Sequence, residues 1–455
     1  IDCRKAVIQS AADLFGANSP EVTAARAAYD FVGILDGAST PTQEDVETNP
    51  GGDFIVHADD DQTALYLSDE AGNLVADPLS SKDPLSKASV TDDGSSIVFV
   101  GKDKKIHYVI IDWNEGEITD AGILQNEPIW RNAAISRDGH RVAALKDIQE
   151  NIIHVYDYTV QGGEWREFEL YNPTFSAGVV TGDVNYADAI EFDHTGNLLM
   201  YDAENTIKNS SGAEVTYWDI SFLRVYDGER SDWGDGKIAQ LFGQLPEQTS
   251  VGNPTFAKNS PHIIAFDMLI ESTNPETYLL LGGNTETGRV DTIFINSRLS
   301  WPSYSTLDNK VIFNAETNSG TLVVGQINVN NTKIHGTGTA TALINNAQLG
   351  TWFANGSRNI STSAREDPLK PYAVSLSPNP AVQNEVNLSW QQPQSPVGNY
   401  FELYDMMGRL HWASSKKYLP GAQSIRIPID DLPQGIYLIK VNIEGKTGGL
   451  KFVRQ

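Results

Sequence analysis

Metal-assisted hydrolysis is the first chemistry to look for in this chain. Two histidines four apart on a helix share a face and hold zinc, with a glutamate between them as base. The eight histidines here are His57, His107, His140, His154, His194, His262, His335 and His411, and no two have that spacing. A Gly-x-Ser-x-Gly elbow, a Gly-x-Gly-x-x-Gly turn and a phosphate loop are also missing from the sequence, so esterase, dinucleotide and nucleotide chemistry lack support. What remains is recognition by aromatic rings beside carboxylates. Trp165, Tyr186, Tyr217 and Trp218 fall near Asp188 in two long insertions, residues 162–188 and 204–219. Such a set can form a platform for a carbohydrate or a peptide. Segments of this length without secondary structure of their own are usually functional or mobile, so both insertions are expected to be loops. Asp59-Asp60-Asp61 and the stretch from Asp227 to Asp235 supply oxygen ligands for calcium, although neither has the alternate spacing of a helix-loop-helix calcium loop.

The elements that must position these residues repeat. Between Gly51 and Ser361 a β-branched or aromatic residue stands four positions before a tight turn, and an apolar strand follows. The instances begin at Val90, Ile135, Phe192, Phe256, Tyr304 and Trp352. Their turn positions, from Gly94 to Gly356, step by 45, 57, 64, 48 and 48 residues. That is the period of a four-stranded propeller blade with two insertions, and six phrases predict six blades. The phrase at Trp352 has no strand after it, whereas the strand Phe54-Ile55-Val56-His57 has no phrase before it. The two ends are therefore expected to combine in one blade, which removes an exposed sheet edge. Phrase and period resemble the TolB-like repeat of six-bladed propellers. Sialidase-type turns, with a residue between Asp and Gly, are not matched at Asp93-Gly94 or Asp138-Gly139. A glycosidase would then need paired carboxylates assembled from distant blades.

The chain of 455 residues is long enough for two or three domains. A formal net charge of -26 argues against a nucleic-acid partner, which requires clustered Lys and Arg, and mainly favours solubility. No apolar run reaches the roughly 18 residues that would suggest a membrane span. Cys3 is the single cysteine, so an internal disulfide is impossible and stability is expected from core burial, with bound ions as a further source.

From Tyr372 to Gln455 short alternating runs such as 385–390 and 424–429 are separated by Pro- and Gly-bearing turns, which predicts a small all-β module. About seven strands in an immunoglobulin-like sandwich would fit. Four motifs stand in order: Ser377-Pro378-Asn379-Pro380; Asp405 to Leu410, with Gly408 at a turn and Arg409 as an exposed charge; Gly435-Ile436-Tyr437-Leu438-Ile439-Lys440-Val441; and the closing Leu450-Lys451-Phe452-Val453-Arg454. They resemble the C-terminal sorting domain of proteins exported by the type IX secretion system of Bacteroidetes-type bacteria. The resemblance implies an export signal at Pro378, Asn379, Pro380, Asp405, Gly408, Arg409, Gly435, Tyr437 and Lys451. It also implies the outer-membrane translocon and its shuttle barrel as partners, and an extracellular or outer-surface location reached through the periplasm. The polar, Pro-bearing stretch 361–371 reads as the joint before it.

Residues 1–35 are the convincing helical stretch, with Asn18-Ser19-Pro20-Glu21 reading as a helix cap. Ile1 opens the chain without an initiator Met, which predicts a processed or shortened N-terminus. The wording Arg4 to Val22 and Ala27 to Ile34 resembles the closing helices of thermolysin-like zinc metallopeptidases. That resemblance covers none of the chemistry and implies zinc only in a catalytic domain outside this chain.

The sequence thus predicts a mainly β protein: a helical segment at 1–35, a six-bladed propeller at 51–361 and a β-sandwich sorting domain at 372–455. The expected role is secreted cargo, the non-catalytic binding portion of a thermolysin-like metallopeptidase, with no cofactor of its own and an unidentified extracellular polymer or protein as ligand. The rival readings are a propeller hydrolase acting on glycans or peptides, and an adhesin or surface scaffold.

Overall fold

The computed structural model describes residues 45–455 apart from 160–164, 174, 177–178, 181, 209–211, 229–230, 244, 359, 361–368, 370–371, 379–380, 382–383, 393–397, 406–408, 444–445 and 455. Of residues 1–44, which form a compact unit of their own, it describes Val7, Ala11, Ser19, Pro20, Val22 and Ala24. The expected N-terminal helices, and most of the stretch 361–371, therefore lie outside the described residues.

The described chain is mainly β. Six four-stranded antiparallel sheets follow one another, here called blades 1 to 6. Blade 1 has Asp53–Asp59, Leu65–Asp69 and Leu74–Ser80, and its innermost strand is Ala347–Ala354 from the far end of the ring. Phe54 pairs with Phe353 and Ile55 with Trp352, so the last segment completes the first blade. The innermost strands of the others are Ser89–Val90, Trp130–Ile135, Gly182–Phe192, Thr249–Phe256 and Ser303–Tyr304.

The ring follows from where the apolar residues go. Each strand carries a side chain on both faces, and both faces are covered by neighbouring blades, so the second strands read as continuous apolar runs such as Ser96–Val100, buried throughout. Each seam between adjacent blades holds a cluster of buried side chains. Phe99 and Val56 share the seam of blades 1 and 2, Trp130 and Val98 that of 2 and 3, and Phe192 and Val155 that of 3 and 4. Phe266 and Met200 join blades 4 and 5, Tyr304 and Ala265 join 5 and 6, and Trp352 with Ile312 and Val324 joins 6 to 1. The last seam closes the circle.

The repeated phrase forms the turn between the first and second strands. Asp93 Oδ1 accepts hydrogen bonds from Thr91 Oγ1 at 2.6 Å and Ser95 N at 3.0 Å; Asp138 Oδ1 accepts from Ser136 Oγ and His140 N in the same way. Gly94 takes φ +69°, and a Cβ there would stand 2.8 Å from the Phe353 ring, so both backbone and space require glycine.

Blade 4 corrects an expectation. Residues 204–219 are not a loop: Leu198–Lys208 pairs with Glu214–Arg224 over their full length, Asn205 opposite Tyr217 and Glu204 opposite Trp218. Thr206, Ile207, Val215, Thr216, Tyr217 and Trp218 favour strands, and the hairpin simply overshoots the blade. Most of residues 182–188 likewise belong to the long first strand.

The tail forms a three-stranded sheet of Ser375–Ser377, Glu385–Gln392 and Gly421–Pro428, and a four-stranded sheet of Gly398–Asp405, Leu410–Lys417, Gly435–Ile443 and Lys446–Arg454. They enclose a core that includes Val386, Trp390, Phe401, Ile427, Ile439 and Phe452. Residues 437–441 are buried on both faces. Tyr437, Ile439 and Val441 face this core, whereas Leu438, 4% exposed, joins the seam of blades 2 and 3 beside Val98, Trp130 and Tyr156. Lys440 on the same face is 6% exposed. A strand that reads as a continuous apolar run is one covered on both sides, and here the second cover is the propeller.

Candidate functional site

The third residue of each repeated phrase stands where an innermost strand ends at the ring's axis. These residues are Asp92, Arg137, His194, Lys258, Thr306 and Ala354. At this end the axis is bridged. Arg358 donates to both oxygens of Asp92 in blade 2, to the Lys258 carbonyl at 2.8 Å and to Asn259 Oδ1 in blade 5, and to the Glu47 carbonyl. Arg137 of blade 3 donates to the carbonyls of Lys258 at 3.1 Å and Ala257 at 3.3 Å, and lies 3.7 Å from Glu191 and 3.9 Å from Asp92. His194 Nε2 lies 3.0 Å from the Lys258 carbonyl. Asn49 donates to the carbonyls of Asp92 and Gly356, tying both ends of the ring to the same place.

Behind this bridge lies a cavity of about 100 Å³ lined by the innermost strands of all six blades. Its charged lining is Lys87, Arg137, Lys258 and Arg358 against Asp92 and Glu191. Four cations face two anions, in a chain whose net charge is -26. Arg358 is committed to Asp92 and Arg137 is shared between Asp92 and Glu191. Lys87 Nζ donates to the Pro302 carbonyl, and no carboxylate oxygen of the described residues lies within 4.0 Å of either Lys87 or Lys258. Burial pushes both ammonium groups down to about 8, with Glu191 acting in the opposite direction. Thr306 Oγ1, buried at the same cavity, has no hydrogen-bond partner among the described residues.

A second group gathers on blade 4. Tyr186 and Trp218 meet edge to face with ring centroids 5.3 Å apart, and the Arg131 guanidinium sits 4.6 Å from the Tyr186 centroid. Asp188 Oδ1 lies 3.4 Å from Arg131 Nε. Burial raises the Asp188 carboxyl against the pull of Arg131, and burial together with the Asp188 charge raises Asp202. Asp202 is structural: its oxygens accept from the backbone N–H groups of Asp188, Ala189 and Asn253. The structure thus brings Tyr186, Asp188 and Trp218 together. Tyr217 points to a different set, accepting from Asn172 Nδ2 at 3.1 Å, and Trp165 stacks on Trp130 at 5.3 Å in the seam of blades 2 and 3. Of the five residues expected to form a platform, three therefore gather, with Arg131 beside them.

Lys87, Arg137, Lys258 and Arg358 carry the charged lining and are not singled out by motif. The legible signal for two of them was the third position of the phrase, where every blade presents its residue to the axis. Among the acidic stretches, Asp59 caps its own turn by accepting from Thr63 N, Thr63 Oγ1 and Ala64 N, and Asp227 lies 3.6 Å from Arg224. No group of three or more His, Cys, Asp or Glu converges among the described residues.

In the tail, Asp405 Oδ1 accepts from Arg409 N, and Oδ2 from Arg409 Nε and His411 Nε2, all at 2.9 Å. Burial would raise this carboxyl, but those hydrogen bonds hold it below the usual carboxylate range. Arg409 is 69% exposed yet paired. Tyr437 stacks on Phe452 at 5.5 Å and donates to the Pro433 carbonyl. Gly435 has φ +154°, and a Cβ there would come within 3.1 Å of Asp120 in blade 2. Pro378 follows a cis peptide bond. Lys451 pairs through its backbone with Leu438. Asn379, Pro380 and Gly408 lie outside the described residues.

No helix of the described residues is long and apolar enough to cross a membrane. No curated protein sequence matches the chain. Among solved structures it is similar to TolB from Acinetobacter baumannii, at 14% identity and a TM-score of 0.44 over 73% of each chain. It is also similar to a putative TolB from Agrobacterium tumefaciens, at 11% identity and a TM-score of 0.40 over 65% of this chain and 89% of that one. Residues 375–455 match the family described as secretion system C-terminal sorting domain. That tail marks the chain as cargo of the type IX secretion system, exported to the cell surface or the extracellular space.

Proposed function

We propose that the chain is a secreted, non-catalytic binding protein whose propeller receives a ligand along its central axis. In this reading it divides into a helical segment at 1–35, a six-bladed propeller at 51–361 and a sorting domain at 372–455. The observation that carries the binding role is the axial cavity. It is lined by innermost strands of all six blades and holds more positive than negative groups in a strongly acidic chain. Convergent polar groups in an apolar-walled cavity are what a small-ligand site requires. The Arg131, Tyr186, Asp188 and Trp218 group supplies a second contact area for a larger extracellular polymer or protein. A glycosidase would need two carboxyl groups free to reach substrate, and three backbone donors occupy Asp202.

The finer parts of the reading rest on resemblance. The wording of residues 4–34 supports origin beside a thermolysin-like catalytic domain, where zinc would reside. The seven strands of the tail support an immunoglobulin-like sandwich, recognised by the translocon and its shuttle barrel. Calcium at the acidic turns has no support beyond composition.

The test is binding by the purified full chain to arrays of extracellular glycans and peptides, followed by Trp218→Ala and Lys258→Gln. Saturable binding reduced by either substitution supports the reading. Turnover of any array component, or binding indifferent to both substitutions, would refute it.

A further inference from the structure

We propose that the axial cavity is a carboxylate site, in which one carboxylate is held between the ammonium groups of Lys87 and Lys258 with Thr306 Oγ1 donating a hydrogen bond. This rests on the binding role proposed above and specifies its chemistry.

Three observations converge. First, the cavity's charge is unbalanced in a particular way. The two guanidinium groups are already engaged with Asp92 and Glu191, so the surplus belongs to the two lysines. Neither has a carboxylate of the described residues within 4.0 Å, and the charge of Lys258 disfavours protonation of Lys87. Two buried ammonium groups lining one cavity are costly unless an anion joins them. Second, Thr306 is 4% exposed, lines this cavity and leaves its hydroxyl without a partner among the described residues. A buried hydroxyl without a partner is destabilising, and a ligand oxygen would supply the missing hydrogen bond. Third, the remaining walls mix apolar side chains, among them Ala88, Ala133 and Phe192, with neutral polar ones such as Ser89, Asn132 and Ser303. About 100 Å³ is room for several waters or for a group of their combined size.

The same features select the class of anion. Glu191 and Asp92 stand in the lining and repel a dianionic phosphate more than a singly charged carboxylate. The carboxylate can come from a free small acid or from the C-terminus of a peptide threaded along the axis, and the two sources are separable by experiment.

The test uses the full chain and calorimetry with four probes: propionate, a tetrapeptide with a free C-terminus, the same tetrapeptide amidated, and inorganic phosphate. Binding of the free-acid peptide but not the amide identifies a chain end. Equal binding of propionate identifies a free acid. Lys258→Gln and Lys87→Gln should each weaken the competent probe at least tenfold, and Thr306→Val about threefold to tenfold, with Lys258→Arg retaining part of the affinity as a check on folding. Affinity should also fall as the pH rises through about 8, where the two lysines lose their protons. Glu191, Asp92, Asp267, Asp308 and Arg137 also act on these lysines. Tighter binding of phosphate than of either carboxylate probe would overturn the inference, as would binding unchanged by both lysine substitutions. A peptide that binds as its amide and depends on Trp218 would end the carboxylate inference while leaving the binding role intact.

Discussion

Arg358 holds the Asp92 carboxylate with two hydrogen bonds, from Nε at 2.8 Å and Nη2 at 2.7 Å, across 266 residues of sequence. The guanidinium is 2% exposed and the carboxylate 11%. The pair joins the segment after the closing strand to blade 2, while the same guanidinium reaches blade 5 and residue 47. It is a bolt across the ring at the point where the ring's two ends meet.

Arg358→Ala is therefore expected to destabilise the propeller by about 3–5 kcal/mol, because it leaves Asp92 buried without its partner. Urea denaturation of the two proteins measures this. A difference under about 1 kcal/mol would mean that the bridge is incidental. Arg358→Lys should recover little, since a point charge cannot make the bidentate pair.

Closure of blade 1 predicts a second outcome. A chain ending before Gln348 loses Trp352, fully buried against Ile55, Ile312 and Val324, and opens the edge of Asp53–Asp59. It should unfold at a clearly lower temperature than a chain ending at residue 365 and should aggregate. Equal melting of the two would show that the strand is not needed to close the ring.

How much of this was legible follows from which residues repeat. The phrase recurs because each blade needs the same turn, so the count of blades and the closing strand could be read from Val90 to Trp352. The overshooting hairpin at 198–224 is not legible as strands, because the expected blade length ends near residue 203 and the remainder reads as insertion. The axial cavity was hidden for another reason. Lys87, Lys258 and Arg358 come from three separate positions, and only ring closure brings them together. Of the five aromatic and acidic residues expected together, Tyr186 and Trp218 meet because both stand opposite Glu204, on the strands either side of Leu198–Lys208. Trp165 belongs to another blade and its ring is spent in a seam.

Asp219 gives a pH-dependent prediction. Burial pushes its carboxyl from 3.8 up to about 7, against one hydrogen bond from the Ile220 N–H. Between those values the folded state keeps a proton that the unfolded state has lost, so this group's contribution to stability falls as the pH rises through the window. Asp219→Asn retains the acceptor and removes the titration. It should stabilise the protein by roughly 1–3 kcal/mol at pH 8 and by nothing measurable at pH 3.5, as read from denaturation at the two pH values. Equal effects at both would remove Asp219 as the cause.

Leu438 predicts how the tail and propeller communicate. Its side chain fills the seam between blades 2 and 3, so the tail is packed on the ring as well as tethered to it. Leu438→Asp should release the tail: the radius of gyration should increase, and proteolysis within 361–371 should become faster, while the blades keep their melting temperature. An unchanged radius would show that Leu438 does not hold the tail.

Export supplies the last prediction. The tail matches the sorting family over 375–455, and its final strand, Lys446–Arg454, is the edge of the four-stranded sheet, paired with Gly435–Ile443 along its whole length. Removing that strand takes Phe452 from the tail's core and Lys451 from beside Leu438, which undoes both the sheet edge and the packing of Tyr437. The seams of the propeller contain none of these deleted side chains among the described residues. A chain lacking 446–455 should therefore remain in the periplasm of a type IX-competent host with a folded propeller, detectable by protease resistance of the blades. Fusion of 372–455 to an unrelated carrier should restore export to the carrier. Normal secretion of the shortened chain, or failure of the fusion to leave the cell, would show that the address is not contained in this sheet.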